Sequence, residues 1–320
     1  GKGTVELNDV IKVLAKVSKV SVDMIDVEKK DGYRKLDAKM KETVYGQDEA
    51  IDKVVENILV AKAGLREKNK PIGSYLFVGP TGTGKTETAR ALSSSMDAKL
   101  IKFDMSEYQE RHSISKLIGA PPGYVGHAEG KVGQGQLLQE VETNPNCVLL
   151  LDEIEKAAPE VLQILLQVMD DGKLTGATGK ATDFSNVVLL MTSNLGAAAS
   201  ETKKIGFGDN VKKGEMSKAV EKFFTPEFRN RLDAVVEFNT LSKDLMFKIV
   251  VVDTNELLQE NESGVVISLH DSARKQLAED GYQPSMGARP LKRVFENSIK
   301  KPLSRKILFD NLTNTVINIH

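Results

Sequence analysis

The sequence has too few cysteines for a disulfide scaffold and no apolar run long enough for a membrane span. Cys147 is the only cysteine among 320 residues, which excludes a disulfide or a multi-cysteine zinc site within one chain. The four histidines are scattered without metal-ligand spacing. The longest apolar runs, such as Val148 to Leu151, fall far short of the ~20 residues of a membrane helix. We therefore expect a soluble, cytoplasmic protein with a buried Cys147, no structural metal and no membrane partner.

An excess of charge of one sign is also lacking. Lys and Arg number 44 against 45 acidic residues, so no overall positive field attracts nucleic acid. There is no run of like charges typical of a binding tail, and no internal repeat. The balance of charges argues against a nucleic-acid partner.

The length of the chain is sufficient for two hydrophobic cores, at roughly 100–200 residues per domain.

Hydrophobic spacing predicts helices in the first part of the chain. Apolar residues recur at helical spacing from Val5 to Val20, and the charged stretch Glu28 to Lys41 is typical of a linker. Helical spacing resumes from Ala50 to Leu65 and ends at Lys70-Pro71. We expect residues 1–40 to form an N-terminal helical segment and linker.

The next region alternates short apolar runs with stretches long enough for helices. The runs are Tyr75–Val78, Leu100–Phe103, Val148–Leu151, Val187–Met191 and Val235–Phe238. This alternation predicts an α/β domain, a parallel sheet with helices on both faces, over residues 41–240. One of these helices is marked by Pro159 near its start and Gly172 after its end. Its expected apolar stripe comprises Leu162, Leu165, Leu166 and Met169.

The C-terminal residues 241–320 predict a smaller, mostly α-helical domain. Apolar residues have helical spacing from Leu245 to Leu257. Short strands are expected at Val265–Leu269 and Val316–Ile319, around the helical stretch Met286–Leu308.

One glycine-rich segment has the spacing of a phosphate-binding loop. It is Gly79-Pro80-Thr81-Gly82-Thr83-Gly84-Lys85-Thr86, directly after the run Tyr75–Val78. The glycines permit a tight loop whose N–H groups surround phosphate oxygens, and the following helix adds its positive dipole end. In such a loop Lys85 reaches the β- and γ-phosphates and the Thr86 hydroxyl binds Mg²⁺. The segment predicts ATP and Mg²⁺ as cofactors.

Two further strand ends carry polar residues suited to hydrolysis. Asp152 and Glu153 follow the apolar run Val148–Leu151, at the position where ligands bind in open α/β sheets. Asp152 suits the Mg²⁺ shell, and Glu153 can polarise the attacking water. Asn194 follows the run Val187–Met191 and could position that water, although Asn often ends strands for turn reasons alone.

Together these motifs resemble AAA+ ATPases of the Clp type, most closely the second ATPase module of ClpA-like chaperones, over nearly the whole chain. Besides Gly79–Thr86, the resemblance is carried by Val44-Tyr45-Gly46-Gln47, Asp104 to Tyr108, Gly119 to Gly126, Leu150 to Lys156, Pro226 to Asp233 and Met286 to Pro290. It does not include the family's N-terminal domain and first ring, and Val5 to Val20 resembles the end of that ring. We expect either a fragment or a single-ring relative, with a longer segment from His127 to Gln136 than in ClpA.

The resemblance implies roles for residues that spacing alone does not assign. Val44, Tyr45 and the two residues after them lie against the adenine, and Asn194 is the sensor-1 residue. Arg231 is the arginine finger in the ATP site of the neighbouring subunit, with Arg229 a weaker candidate, and Arg289 is sensor 2. A finger that acts in trans requires a ring, and a homo-hexamer is implied. For either arginine, a surface ion pair is the alternative.

The resemblance also implies protein partners. Tyr124 and Val125, flanked by glycines, would line the central pore and grip unfolded or tagged protein substrates. Ile205-Gly206-Phe207 resembles the loop with which ClpA-like and ClpX-like proteins dock on a ClpP-type peptidase, and which ClpB-type disaggregases lack. A loop packed back on the core is the alternative. An adaptor protein could also take part.

Three hypotheses follow. The leading one is an ATP-dependent protein unfoldase and translocase that feeds a peptidase. A nucleic-acid motor on the same scaffold is disfavoured by the balanced charge and the lack of a recognisable DNA-binding element. A nucleotide-switched adaptor with little turnover is disfavoured by the intact pair Asp152-Glu153.

Overall fold

The computed structural model of the protein describes residues 4–18, 22, 26–119, 135–196, 210–242, 244–251, 265–281, 290–310 and 316–320. The helices are α1 (Leu7–Ser18), α2 (Val27–Arg34), α3 (Leu36–Lys41), α4 (Asp48–Lys62), α5 (Lys85–Ser95), α6 (Ile114–Ile118), α7 (Gln136–Thr143), α8 (Pro159–Asp171), α9 (Asn210–Phe223), α10 (Pro226–Asn230), α11 (Asp271–Gly281), α12 (Leu291–Phe295) and α13 (Lys301–Phe309). The strands are β1 (Gly73–Val78), β2 (Lys99–Asp104), β3 (Cys147–Asp152), β4 (Lys173–Thr175), β5 (Ala181–Asp183), β6 (Val188–Ser193), β7 (Ala234–Glu237), β8 (Val266–Leu269) and β9 (Val316–Ile319). Residues 244–251 are also helical, and a π-helical segment, Glu296–Lys300, joins α12 to α13.

Five parallel strands form the central sheet in the order β2-β3-β6-β1-β7. Each of the five predicted apolar runs contributes one of these strands, so the predicted α/β fold is confirmed. The inner strands β1, β3 and β6 are almost entirely buried, because helices cover both faces of the sheet.

Alternate side chains of the strands enter two separate cores. Tyr75 and Phe77 of β1 pack with residues of α3, α4 and α5 on one face. Leu76 and Val78 of the same strand pack with residues of α6 to α10 on the other. The period of two along each strand therefore places the central sheet between two helical layers.

The segment predicted as a charged linker is instead helical and partly buried. Leu36 and Met40 of α3 are fully buried in the core that contains Phe77. The many charged residues around Leu36 and Met40 led to the linker prediction. The spacing of four between these two apolar residues places them on one face of a helix. The helix predicted from Val5 to Val20 is present as α1, with most of its apolar side chains exposed.

Helix α8 has the ends that its sequence predicts. Pro159 is its first residue, and Gly172 ends it with a φ of +59°. Its buried residues are Val161, Leu165, Val168 and Met169. The predicted stripe was therefore correct at Leu165 and Met169, whereas Leu162 and Leu166 are only partly buried. Packing of α8 against the sheet turns Val161, Leu165 and Val168 inward. The spacing of the apolar residues alone could not show which side of the helix would face the sheet.

A third, smaller core lies in the C-terminal part of the chain. Leu269 of β8 and Leu277 of α11 pack there with Val250, Leu291 and Phe295. The two predicted strands form a parallel pair, β8 with β9. In the described part of the chain, no helix combines the length and apolar character needed to cross a bilayer. The boundaries of the two domains, near residues 40 and 240, stay predictions.

Candidate functional site

The predicted site residues converge at the carboxyl edge of the central sheet. Lys85 follows β1, Asp152 ends β3, Glu153 follows it, and Asn194 follows β6. These three strands are neighbours in the sheet, so their carboxyl ends open at one edge. The residues border a single cavity of about 730 Å³.

The glycine-rich loop connects β1 to the N-terminus of α5. Its first residue is held from both sides: the Gly79 N–H donates to the Ser193 carbonyl at 3.2 Å, and the Phe238 N–H donates to the adjacent Val78 carbonyl at 2.7 Å. A Cβ at Gly79 would lie 2.5 Å from the Phe238 carbonyl oxygen, so only glycine fits there. The loop opens into α5 at Gly84, whose φ is +102°. The free N–H groups of the first turn of α5 therefore lie at the loop.

The Lys85 side chain is buried against its own loop. Its Nζ donates to the carbonyls of Gly79 and Pro80, at 2.6 and 2.8 Å, and to Asn194 Oδ1 at 2.9 Å. Burial lowers the pKa of Lys85 to about 8, although the nearby Asp152, Glu155 and Glu153 oppose that shift. The buried ammonium group is therefore a positive charge with incomplete compensation, which favours a bound anion.

One buried hydroxyl group positions both acidic residues. Thr192 Oγ1 donates to Asp152 Oδ1 and accepts from the Glu153 N–H at 3.0 Å. The other carboxylate oxygen of Asp152 lies 2.6 Å from Lys102 Nζ. Thr192 is 1% exposed, so its geometry is set by packing in β6. Neighbouring strands thus orient the residue predicted to bind Mg²⁺.

Glu153 has an uncommon backbone conformation for a residue with a side chain. Its φ is +56°, in the left-handed region. The chain reverses there from β3 into the short 3₁₀ helix Ile154–Lys156, and the Glu153 carboxylate pairs with Lys156. Such a conformation costs of order 1–3 kcal/mol and is typical of functional sites.

Asn194 is held at both its backbone and its side chain. Its N–H donates to Glu155 Oε1 at 3.1 Å, while its side-chain oxygen accepts from Lys85. Glu155 Oε2 is buried without a hydrogen-bond partner in the described part of the chain. Glu155 therefore links the segment after β3 to the residue predicted as sensor 1.

The cavity brings together most of the predicted binding residues. The predicted residues that line it are Val44, Tyr45, Thr81, Gly82, Thr83, Gly84, Lys85, Thr86, Asp152, Glu153 and Asn194. Its volume is in the ordinary range of 300–1,000 Å³ for ligand sites. Gly79 and Pro80 contribute through their carbonyl contacts with Lys85. Gln47 bonds to the loop and to Asn239, and its predicted placement against the adenine stays a prediction.

Several cavity residues were given no role from the sequence. They are Thr43, Glu87, Arg90, Lys102, Asp104, Leu241 and Ile249. Asp104 lies opposite Asp152 in the β2–β3 register, and its hydrogen bonds to Ser106 lower its pKa. Its place at the end of an apolar strand was the same signal that identified Asp152. For Leu241 and Ile249 no local signal existed, because they reach the cavity only through the tertiary fold.

The acids and the loop fit a nucleoside triphosphate with a divalent cation. Two carboxylates at adjacent strand ends, Asp104 and Asp152, are hard oxygen ligands of the kind that Mg²⁺ prefers. They line the same cavity as the loop, with its helix N-terminus, and Lys85. Anion-binding and cation-binding groups therefore lie side by side.

The predicted finger, Arg231, lies outside this cavity and is paired with acids. Its Nε is 2.5 Å from Asp170 Oδ2, and its Nη2 is 3.3 Å from Glu227 Oε1. Asp170 raises the pKa of Arg231. Arg229 donates to the Phe224 carbonyl at 3.3 Å. The predicted residues Tyr124, Val125, Ile205, Gly206, Phe207 and Arg289 lie outside the described residues.

Comparison with known proteins identifies two family models. The model described as the AAA domain of the Cdc48 subfamily matches residues 70–235. The model described as the C-terminal, D2-small domain of ClpB protein matches residues 241–319.

Curated relatives match over nearly the whole chain. A ClpA homolog protein from Fuscovulum blasticum is 50% identical over 97% of the chain. The Clp protease ATP-binding subunit ClpE from Bacillus subtilis is 40% identical over 96%, and ClpC from Staphylococcus saprophyticus is 42% identical over 95%. The chain spans 38%, 44% and 38% of these proteins, so less than half of their length.

A solved structure agrees in fold. A cryo-EM reconstruction of closed-state Hsp104 with ATPγS and FITC casein superposes with a TM-score of 0.84 at 33% identity, covering 99% of this chain and 55% of the other. The family models and the relatives agree, and the chain therefore belongs to the AAA family, with similarity to Clp ATP-binding subunits and their homologues over nearly its whole length.

Proposed function

We propose that the chain is the motor module of an ATP-dependent protein unfoldase, which hydrolyses Mg-ATP to thread proteins through a central pore into a ClpP-type peptidase. The observation that supports it most is the convergence of Lys85, Asp152, Glu153 and Asn194 on one cavity. These are a phosphate-binding cation, a metal ligand, a base and an amide, which are the groups that phosphoryl transfer to water requires.

The residues of the cavity divide the work of hydrolysis. The loop Gly79–Thr86, which includes Lys85, holds the phosphates, and Val44 and Tyr45 lie against the adenine of the nucleotide. Thr86 and Asp152 would hold Mg²⁺, which would neutralise charge on the phosphate oxygens. Glu153 takes the proton of the attacking water, and Asn194 orients that water beside Lys85.

Arg231 acts on the neighbouring subunit in a homo-hexamer. Its position outside the cavity of its own chain, at the surface with Asp170, is compatible with a role in trans. An arginine finger of this kind contributes about 10³–10⁵ in rate. Arg289 reports the nucleotide state from the C-terminal region as sensor 2.

Tyr124 and Val125 grip the polypeptide in the pore, and Ile205-Gly206-Phe207 docks on the peptidase. The relatives named ClpC and ClpE are ATP-binding subunits of a Clp protease, and the Hsp104 reconstruction contains casein. A protein substrate is therefore the class that the relatives favour. An adaptor protein could select substrates for the ring.

The test measures ATP-dependent loss of fluorescence of a tagged fluorescent protein, with and without a ClpP-type peptidase. The unaltered chain is compared with Glu153→Gln and with a deletion of Ile205-Gly206-Phe207. We expect Glu153→Gln to bind ATP but neither hydrolyse it nor unfold the substrate. The loop deletion should still unfold the substrate but no longer support its degradation.

Two results would change the conclusion. If an assembled ring hydrolyses ATP without unfolding the fluorescent protein, the ATPase assignment stands but the substrate class is wrong. If unfolding proceeds but the peptidase makes no difference even with the loop intact, the unfoldase assignment stands, but the assignment of Ile205-Gly206-Phe207 as a peptidase-docking loop is wrong.

A further inference from the structure

Gln47 joins two distant parts of the chain through a single side chain. Its Nε2 donates to the Thr83 carbonyl at 2.9 Å and to the Asn239 carbonyl at 3.0 Å. Its Oε1 accepts from the Asn239 N–H at 3.2 Å. Gln47 is 3% exposed, so both ends of its amide are satisfied away from water.

The two partners lie at different functional elements. Thr83 belongs to the phosphate-binding loop, and its hydroxyl donates to the Pro80 carbonyl at 2.8 Å. Asn239 follows Phe238, which is hydrogen-bonded to the end of β1, and begins the connection from β7 to the C-terminal residues. The amide of Gln47 therefore lies between the nucleotide site and that connection.

A second contact at the same point reaches the C-terminal region. Gly46 has a φ of +73°, and a Cβ there would lie 2.6 Å from Leu245 Cδ1. Leu245 belongs to the helical residues 244–251, which also supply Ile249 to the cavity. The segment Gly46-Gln47 thus contacts the loop, the connection and the helix that follows it.

We propose that Gln47 is a positioning residue that couples the phosphate-binding loop to the connection at Asn239, so that nucleotide binding at the loop changes the placement of residues 239–251. The proposal rests on nucleotide binding at the cavity, which is part of the proposed function, but not on protein unfolding.

The chemistry of the site requires an amide. A glutamine can donate two hydrogen bonds and accept others at once, whereas an ionised glutamate only accepts and a methionine does neither strongly. Glutamate would place oxygens against the carbonyls of Thr83 and Asn239. Methionine preserves the length of the side chain but removes the link between the two carbonyls.

The first measurement uses the unaltered full chain. Hydrogen exchange is followed with and without ADP, and binding of a fluorescent ADP is measured in parallel. We expect ADP to slow exchange by about fivefold or more both in the loop and in residues 239–251. Slowing in the loop alone overturns the proposal. If ADP does not bind, the nucleotide site itself is wrong, which is a separate failure.

The second measurement compares Gln47→Met and Gln47→Glu with the control Gln109→Met. Gln109 also donates to a carbonyl, that of Ser106 at 2.9 Å, but it is exposed. In both Gln47 variants ADP should bind within about threefold of the parent affinity and slow exchange in the loop, while slowing in residues 239–251 falls below about twofold. The rate of ATP turnover should fall more than the affinity for ATP.

Gln109→Met should behave as the parent in every respect. If residues 239–251 in Gln47→Met still respond fully to ADP, the coupling does not pass through this side chain. If Gln47→Met instead loses cooperative unfolding, the residue is structural and the proposal is equally overturned.

Discussion

Cys147 shows how burial controls the chemistry of a single residue. It begins β3, is 1% exposed, and its pKa is raised by burial from 9.0 to about 12. At pH 8 this shift lowers the thiolate fraction about a thousandfold, and the thiolate is the reactive form. The buried position predicted from its apolar neighbours is confirmed.

We expect Cys147 to resist alkylation by a maleimide at pH 8 in the native chain and to react fully in denaturant. Because the pKa of Cys147 is higher in the folded chain than in the unfolded chain, the protonated thiol favours the folded state. This contribution to stability is complete below pH 9 and is lost as the pH rises from 9 to about 12. The extent of labelling is read by mass spectrometry. Rapid labelling of the native chain, at the rate of an exposed thiol, would contradict the buried position.

Glu155 lies behind the reacting groups, where it accepts the N–H of Asn194. We expect Glu155→Ala to lower kcat about 10–100-fold, because such supporting contacts orient the residues that touch substrate. Glu155→Gln keeps an acceptor oxygen and should recover most of that rate. The measurement is steady-state ATPase activity, with fluorescent ADP affinity as the control.

If Glu155→Gln is as inactive as Glu155→Ala, the carboxylate charge near Lys85 matters more than the contact with Asn194. Equal loss of nucleotide affinity and turnover in both variants would indicate a collapsed site instead.

At the scale of elements, the end of α8 depends on one glycine. Gly172 has a φ of +59°, and a Cβ there would lie 2.5 Å from the Asn69 carbonyl oxygen. Gly179, with a φ of +78°, has nothing within 4 Å of the same position. Comparing an alanine substitution at each glycine therefore separates two costs in folding free energy, that of the left-handed backbone and that of a steric clash.

We expect Gly179→Ala to lower the free energy of unfolding by about 1–2 kcal/mol, the cost of left-handed backbone for alanine. Gly172→Ala should lower it clearly more, since the Asn69 backbone must also move. Chemical denaturation of both variants measures the difference. Equal losses of unfolding free energy in the two variants would show that the backbone around Asn69 moves aside at no cost in stability.

At the scale of the whole molecule, the proposed ring can be tested by mixing inactive chains. Glu153→Gln leaves Arg231 intact, and Arg231→Ala leaves Glu153 intact. In a ring of both, a site with its own Glu153 and a neighbour's Arg231 is complete, and about a quarter of sites meet this condition in an equal, random mixture.

We therefore expect ATPase activity to reappear when the two variants are mixed, although each alone is inactive. Mixing either one with the double variant is the control and should restore nothing. If rings of mixed composition form and stay inactive, Arg231 does not act on the neighbouring subunit.

The amino-acid sequence alone determined the five central strands, the phosphate-binding loop and the acids Asp152 and Glu153, because each depends on a local pattern of apolar and polar residues. Only the tertiary structure decided that Leu36 is core rather than linker, that Thr192 orients both acids, and that Gln47 bonds to Asn239. Those contacts join residues far apart in the chain, Gln47 and Asn239 by 192 positions. A local sequence pattern cannot show which residues, distant in the chain, will come within hydrogen-bonding distance when the chain packs.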